Sequence, residues 1–559
     1  MKLVQGTSVL PYYSPTARYE TRYAPCALGS DALRSKEDVQ RPTSNVQSTM
    51  FSMHSFTAHS GHKGQVISPP STPQFDISSN GKINQSKASG SHSSFCSTKY
   101  LNNPSIQAPF TIDLSAPKEV KYEQIFDIIA EITPQFLHKG GISSVEKEKL
   151  KIEDLTIKPL IGGLSNLLFL VSKPTSINAS EEICHLLVRA HSIDDDEDKS
   201  LVNRNSENKI MAWLASLQSN AAPTYYGRFQ NGRLEEFYDG VRPLTCHEMR
   251  EVPFARAIAI ELANMHKRIK NVPAEVLGYD IEQVMATCGE IWKRIDDWIE
   301  LADLVETEEC LNSRNIDKSI QTRLEFAKEE WAWLKSELKT DKNVEHMELE
   351  STSSIERVAA QFCRQIVFTH MDCQSLNILT PKANELISSQ GECKGDVDVI
   401  SSSCSDSEAE CSEMGNGDTV ACIRLIDFEY AGLNPRAADI ANTFCEHCDM
   451  NNFKADYEKE YPTSDEQNLF LKVYVQNAAE PIALFLNQHE KGATVAWMEF
   501  LEVFREEIGK HSLLSHLSWF VWSLDQFYLS SIDFDYLAYA DLRKEGYEFF
   551  KNRHWPELF

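Results

Sequence analysis

The chain of 559 residues is short of positive charge: 55 Lys and Arg stand against 82 Asp and Glu, a formal net charge of −27. Binding along a nucleic acid needs a basic surface, so this deficit argues against nucleic acid as the main partner. It argues equally against docking on anionic lipid. Long hydrophobic runs are missing too. No stretch approaches the roughly 18 apolar residues that span a bilayer, so stable membrane insertion is not expected. Met1 to Leu10 lacks the basic start and apolar block of a secretory signal. The 14 cysteines are scattered rather than dense, which fits reduced thiols and a cytoplasmic location. Cys445-Glu446-His447-Cys448 has the spacing of a zinc half-site, but zinc needs four ligands and the sequence holds no second CxxC. Two ordinary helix cysteines is the plainer reading. The string GxxxxGK followed by Ser or Thr is absent as well, which removes a P-loop.

What is present can fold. Hydrophobic residues make up 42% of the chain and aromatics 10%, and the length suggests about two to four domain-sized units. Residues 1–115 are Ser-rich without apolar periodicity, and a disordered tail is expected there. From Lys118 the texture changes. Ile125, Ile128, Ile129, Ile132 and Phe136 form a helical stripe. Strand-like runs follow at 155–172, broken by Gly162-Gly163, and at 185–189. A helix is expected over 203–217, then strands at 224–229 and 234–238 with the hairpin signal Asn231-Gly232 between them. After Pro243 the chain reads as helical, with a β-rich island at 366–379 and 423–428. A small α+β lobe dominated by a sheet thus precedes a larger helical lobe, with a cleft expected between them. Inside the island, residues 381–421 are Ser-rich and acidic, with nine Asp/Glu against one Lys from Glu385 to Asp418. A disordered insertion is expected there, and the run 194–198 reads as a second solvated acidic loop.

The chemistry is carried by four signals in order. Gly162-Gly163-Leu164-Ser165-Asn166 between strands suits a backbone that approaches phosphate closely. Arg189 ends an apolar strand, where it can grip phosphate oxygens, and Glu207 opens the next helix, where it can pair with Arg189. His370-x-Asp372-x4-Asn377 has the spacing of a kinase catalytic loop: Asp orients and deprotonates a hydroxyl, and Asn binds Mg²⁺. Asp427, in Leu425-Ile426-Asp427-Phe428-Glu429, fits the metal-holding Asp of phosphoryl transfer, with Glu429 a further oxygen ligand.

With these residues in view, the sequence resembles the choline/ethanolamine kinase family, a small-molecule branch of the protein-kinase-like fold. The matching strings are GGLSN at 162–166, LVRAHS at 187–192, GRLEEF at 232–237, HMDCQSLNIL at 370–379, LIDFEYAGLNPRAADIANTFCEH at 425–447 and SHLSWFVWSLDQFYLSSIDFDYLAYA at 515–540. The resemblance implies a two-lobed α+β fold with a β-rich N-lobe over 116–242 and a mainly helical C-lobe over 243–559. It also implies ATP- and Mg²⁺-dependent phosphorylation of choline, with ethanolamine as a second substrate, at the first step of phosphatidylcholine or phosphatidylethanolamine synthesis. A homodimer is compatible with it. Carried over by position, Asp372 resembles the catalytic base, and Asn377, Asp427 and Glu429 the metal ligands. Gly162, Gly163, Ser165, Asn166, Arg189, Glu207 and Gln374 fall on the nucleotide side. Asp439 resembles a buried brace for the catalytic loop. Tyr430, Glu446, Trp519, Trp522 and Tyr539 match a cation pocket. That assignment has its own physical sense, since a quaternary ammonium cannot donate N–H bonds and is held by aromatic faces and a nearby carboxylate.

The chain departs from the family at two places: Met371 stands where Asn is usual, and Leu376 where Gly is expected. Asp372 and Asn377 remain, so activity is expected, reduced if the loop has lost a brace. Three alternatives stay open: ethanolamine as the main substrate, a kinase for another small alcohol such as an aminoglycoside-like compound, and a catalytically weak scaffold. The second has no reason to keep Trp519, Trp522 and Tyr539. The third has none to keep Asp372 and Asp427.

Overall fold

The structure, a computed structural model, describes residues 107–138, 149–160, 167–174, 183–191, 201–217, 221–268, 272–277, 284, 289–313, 318–338, 349, 353–382, 386–387, 420–450, 453, 455–530 and 532–558. The loop 162–166, the acidic run 194–198, the tail up to residue 106 and residues 388–419 of the acidic insertion lie outside them.

The first lobe is a six-stranded sheet built from β1 (Gln107–Ala108), β2 (Thr156–Leu160), β3 (Leu167–Ser172), β4 (His185–Ala190), β5 (Tyr225–Phe229) and β6 (Gly232–Glu236). Its order is β1-β5-β6-β4-β3-β2, with β1 parallel to β5 and the other pairs antiparallel. Strand alternation decides which residues meet the cleft. Phe169, Val171, Leu186, Val188 and Leu234 pack with the stripe Ile125, Ile128, Ile129 and Ile132 of α1 (Lys118–Ile132). Arg189, Arg233 and Glu235 alternate with them and fall on the other face. The β5–β6 turn needs its glycine, because a Cβ on Gly232 would lie 2.1 Å from the carbonyl oxygen of Arg189.

The folded lobe begins earlier than the expected boundary at residue 115. Gln107 and Ala108 pair with Arg228 and Phe229. Ile112 is buried and exchanges hydrogen bonds with the Asn231 side chain, at 3.0 and 2.9 Å. A two-residue edge strand is too short to produce a periodic signal, which is why this stretch read as tail.

The chain enters the second lobe through β7 (Val241–Pro243), which pairs with β9 (Ile378–Pro381), itself paired with β12 (Arg424–Leu425). A second ladder joins β8 (Ile366–Thr369) to β13 (Gly432–Pro435). The island at 423–428 is strand only at Arg424–Leu425, because Asp427 turns into the left-handed region at φ 66°. The ends of the acidic insertion are ordered: Pro381 belongs to β9, and β10 (Leu386–Ile387) pairs with β11 (Val420–Ala421), so the insertion leaves from a short ladder.

The helices that position the site are α2 (Arg204–Ser216), which lies between β4 and β5 and packs into the core of this lobe, and then α3 (Val252–Lys267), α4 (Glu290–Ser313), α5 (Lys318–Glu337), α6 (Ile355–Arg364), α7 (Arg436–Cys445), α8 (Ser464–Ala478), α9 (Glu480–Gln488), α10 (Ala493–Leu529) and α11 (Tyr536–His554). Every residue of α10 from Leu513 to Asp525 is buried, the pattern of a helix enclosed on all sides. Its 37 residues pack against α4, α5, α6, α7 and α11. Gly546 permits close approach of α11, since a Cβ there would lie 2.4 Å from the His516 ring. Among the described residues no single helix is long and apolar enough to cross a membrane. The pair α8 and α9 reaches that length and composition only together and is bent by 114°.

Candidate active site

Two loops meet at the end of the β8–β13 ladder. Thr369 closes β8, its hydroxyl donating to the Gly432 carbonyl at 2.9 Å. The next residue, His370, is fully buried, and burial pushes its pKa down, so it bonds as a neutral ring. Its Nε2–H donates to the Ile426 carbonyl at 3.0 Å, and its Nδ1 accepts the Asp372 backbone N–H at 3.3 Å. One imidazole thus ties the loop that carries Asp372 to the residue before Asp427. Met371, between them, sits at φ 62°.

Asp372 is 7% exposed. The Asn377 amide donates to its Oδ2 at 2.7 Å and to its carbonyl at 3.0 Å, and the Gln374 side chain hydrogen-bonds it as well. Burial raises the Asp372 pKa well above the usual carboxylate range, and Glu446, Asp427 and Glu429 add to the rise. Near Asp372, Glu207, Asp427 and Glu429 offer carboxylate oxygens within 4.8 Å of one another. Burial and the neighbouring Asp427 push the Glu429 carboxyl up to about 7. Three clustered carboxylates that repel one another are a donor set for a hard divalent cation.

Arg189 and Glu207, expected to pair, both belong to a wider buried network in which Glu207 acts on Arg189 electrostatically. Arg189 reaches Glu235 at 3.3 Å and Asp427 at 3.4 Å. Glu207 is gripped by Arg233 at 2.6 Å and by Arg204 at 2.9 Å, and Arg204 also holds Glu429 at 2.9 Å. Arg233 reaches Glu235 at 2.7 Å. Arg189 and Arg233 face each other across β4 and β6, so the two glutamates between them are what make that juxtaposition tolerable. The GRLEEF string contains Arg233 and Glu235 at the i, i+2 spacing that puts both on one strand face. That spacing was the available signal for them, and Arg204 had none beyond its place beside the Asn203 cap.

Asp372 also interacts with an aromatic cluster. Tyr430 and Trp519 have ring centroids 5.2 Å apart, Trp519 and Trp522 5.5 Å, and Trp522 and Tyr539 6.3 Å. The Trp522 indole N–H donates to the Tyr430 hydroxyl at 2.9 Å, and that of Trp519 to the Asn442 side-chain oxygen at 2.9 Å. Asp372 acts electrostatically on both Tyr430 and Tyr539, which ties the cluster to that carboxyl. Further rings join it that sequence reasoning missed: Trp298 against Tyr430, Tyr536 against Trp522, and Phe453 and Phe534 against Tyr539. Glu446 lies in this region, but its carboxylate is engaged by Arg543 at 2.5 Å, and Arg543 also donates to the Tyr539 hydroxyl. The negative charge expected from Glu446 is therefore shared with a buried guanidinium. The loop residues Gly162, Gly163, Ser165 and Asn166 fall outside the described residues.

The family model described as choline/ethanolamine kinase matches residues 157–548. The choline/ethanolamine kinase of Homo sapiens is 28% identical over 409 residues, covering 71% of this chain and 81% of that protein. Probable choline kinase 3 of Arabidopsis thaliana is 24% identical over 435 residues, covering 76% of this chain and 95% of that protein. Among solved structures, the ethanolamine kinase of Plasmodium vivax superposes with a TM-score of 0.50 at 20% identity, covering 79% of this chain and 93% of the other, a likeness of fold.

Proposed function

This chain belongs to the choline/ethanolamine kinase family, a family of phosphotransferases acting on small amino alcohols with ATP as donor, and from that membership we propose that it phosphorylates the hydroxyl of choline, with ethanolamine as a second substrate. The observation that carries this reading is that Asp372 interacts electrostatically both with Asp427 and Glu429 of the carboxylate cluster and with Tyr430 and Tyr539 of the aromatic cluster. A carboxylate that interacts with both an aromatic cluster and a carboxylate cluster can face a hydroxyl whose ammonium end lies among rings and whose phosphoryl donor lies over the carboxylates.

In this reading Asp372 accepts the hydroxyl proton as the oxygen forms its bond to the γ-phosphorus, and the bond to ADP breaks. Asn377 holds the Asp372 carboxyl in register. Asn377, Asp427 and Glu429 would hold Mg²⁺, which when bound offsets phosphate charge. Arg189 carries positive charge to the same end of the cleft and, beside Asp427, is placed to meet phosphate oxygens. The neighbouring carboxylates make ionised Asp372 costly, so cations bound on either side favour the basic form that the reaction needs. Trp519, Trp522, Tyr430 and Tyr539 exclude water from the ammonium group. The Glu446–Arg543 pair is close to neutral overall, and with Arg543 over Trp519 and Tyr539 and Arg294 over Tyr430 the attraction falls mainly to Trp522, which favours a quaternary over a primary ammonium. The reaction belongs, on this reading, to the cytoplasm and to the first step of phosphatidylcholine and phosphatidylethanolamine synthesis.

The test is ADP release by the purified chain with ATP and Mg²⁺, with choline and ethanolamine offered separately. Turnover that depends on the amino alcohol supports the proposal; turnover with neither refutes it.

A further inference from the structure

A line of side chains runs from the catalytic loop into the helical lobe, and protonation dictates the direction of each hydrogen bond in it. Asp439, on α7, accepts the backbone N–H of His370 at 2.9 Å and of Met371 at 2.7 Å. Burial works against its charge, but the bond from His266 and the loop N–H groups keep its pKa below the ordinary value. A carboxylate only accepts, so the His266 Nε2, 2.9 Å from Asp439 Oδ2, must carry a proton. Burial lowers the His266 pKa and keeps the ring neutral, which leaves Nδ1 as an acceptor. The Tyr474 hydroxyl lies 2.5 Å from that nitrogen and donates to it. Its oxygen in turn accepts from Arg436 at 2.5 Å. Arg436 is fixed by the Phe362 carbonyl at 3.0 Å and the Gln365 side chain at 2.7 Å. All four side chains are buried. The other tautomer would put a bare Nε2 against the carboxylate and an N–H against the tyrosine oxygen.

The line ends at a strained residue. Met371 occupies the left-handed region, where a long side chain crowds its own backbone, and it immediately precedes Asp372. Glycine or asparagine would hold this conformation more readily. With methionine, the bond from its N–H to Asp439 has more to hold.

We infer that His266 and Tyr474 are positioning residues: they fix the Asp439 carboxylate, which keeps Met371 in its strained conformation and Asp372 aimed at the acceptor hydroxyl. The kinetic consequence rests on the phosphotransfer reading; the structural part does not.

Three variants test this. His266→Gln sets an amide N–H close to the position of Nε2, His266→Leu keeps bulk without a donor, and Tyr474→Phe removes one hydroxyl. The readouts are kcat and KM for choline and ATP, and amide hydrogen exchange in a peptide spanning 366–377. His266→Leu should lower kcat by about 10- to 100-fold, as losses of supporting partners do, with both KM values within about twofold. It should also speed exchange in that peptide. His266→Gln should restore kcat to within about threefold of wild type and restore protection. Tyr474→Phe should lie between them. Equal losses in the Leu and Gln variants, or no change in either readout for Leu, would overturn the inference. If His266→Leu does not fold, Tyr474→Phe decides: unchanged kcat and unchanged exchange would overturn the inference. A wild-type chain inactive on both alcohols, with exchange lost in Leu and kept in Gln, would refute the functional reading and support the positioning line.

Discussion

Replacing Trp522 by leucine should weaken choline binding and leave ATP binding alone. Trp522 is 5% exposed, lies edge-on to Trp519 at 5.5 Å, and neighbours Tyr536 at 5.9 Å and Tyr539 at 6.3 Å. Leucine keeps much of the apolar burial but removes the ring face and the N–H that fixes the Tyr430 hydroxyl. A desolvated cation–π contact is worth about 2 kcal/mol, and about 1.4 kcal/mol makes a factor of ten, so the KM for choline should rise by about 30-fold. Losing the bond to Tyr430 should cost about 1 kcal/mol of stability. Ethanolamine can donate N–H bonds and depends less on ring faces, so its KM should rise less. Steady-state kinetics with each substrate varied in turn, alongside urea unfolding, measure all of this. An equal rise in KM for ATP and choline, or an unchanged KM for choline, would refute the aromatic pocket.

Three further outcomes are expected. Asp372→Asn should lower kcat by about 100- to 10,000-fold, the range for loss of a general base. Its pKa is raised in the folded chain, so ionised Asp372 costs stability above the ordinary carboxylate range, and the asparagine variant should melt no lower than wild type at pH 7.5; near-normal turnover removes Asp372 from its role. Burial lowers the pKa of His447 to about 3, so its contribution to stability is complete above the unfolded value near 6.5 and is lost as pH falls from there towards 3. At pH 5 that loss is about 2 kcal/mol, and urea unfolding at pH 7 and pH 5 should show it shrinking in His447→Leu; an identical pH dependence in both proteins would contradict it. Gly232→Ala should destabilise the chain by about 1–3 kcal/mol through the clash with the Arg189 carbonyl, read as a lower urea midpoint; an unchanged midpoint would contradict that packing.

Much of the architecture was legible because it rests on local pattern. The stripe of isoleucines in α1, the helix α2 within 203–217 and the Asn231-Gly232 turn lie where their spacing puts them. The order of the two loops that carry Asp372 and Asp427 was readable because a strand, a tight turn and a polar residue follow one another within a few positions. Pairing across distance was not. Glu446 and Arg543 are 97 positions apart, and nothing local shows that one occupies the other. The division of Arg189, Arg204 and Arg233 among Glu207, Glu235, Asp427 and Glu429 depends on strand register and on where α2 docks. Met371 read as a lost polar brace; its backbone shows a second cost, because the position is left-handed and methionine suits it poorly. Gln107–Ala108 escaped notice because two residues carry no period.

The most direct test of the central claim is a competition: equal concentrations of choline and ethanolamine with limiting ATP and Mg²⁺, and the phosphorylated products separated by phosphorus NMR. Phosphocholine as the main product, with phosphoethanolamine as the minor one and neither formed by Asp372→Asn, is the expected result. Formation of neither product by the wild-type chain would contradict the account.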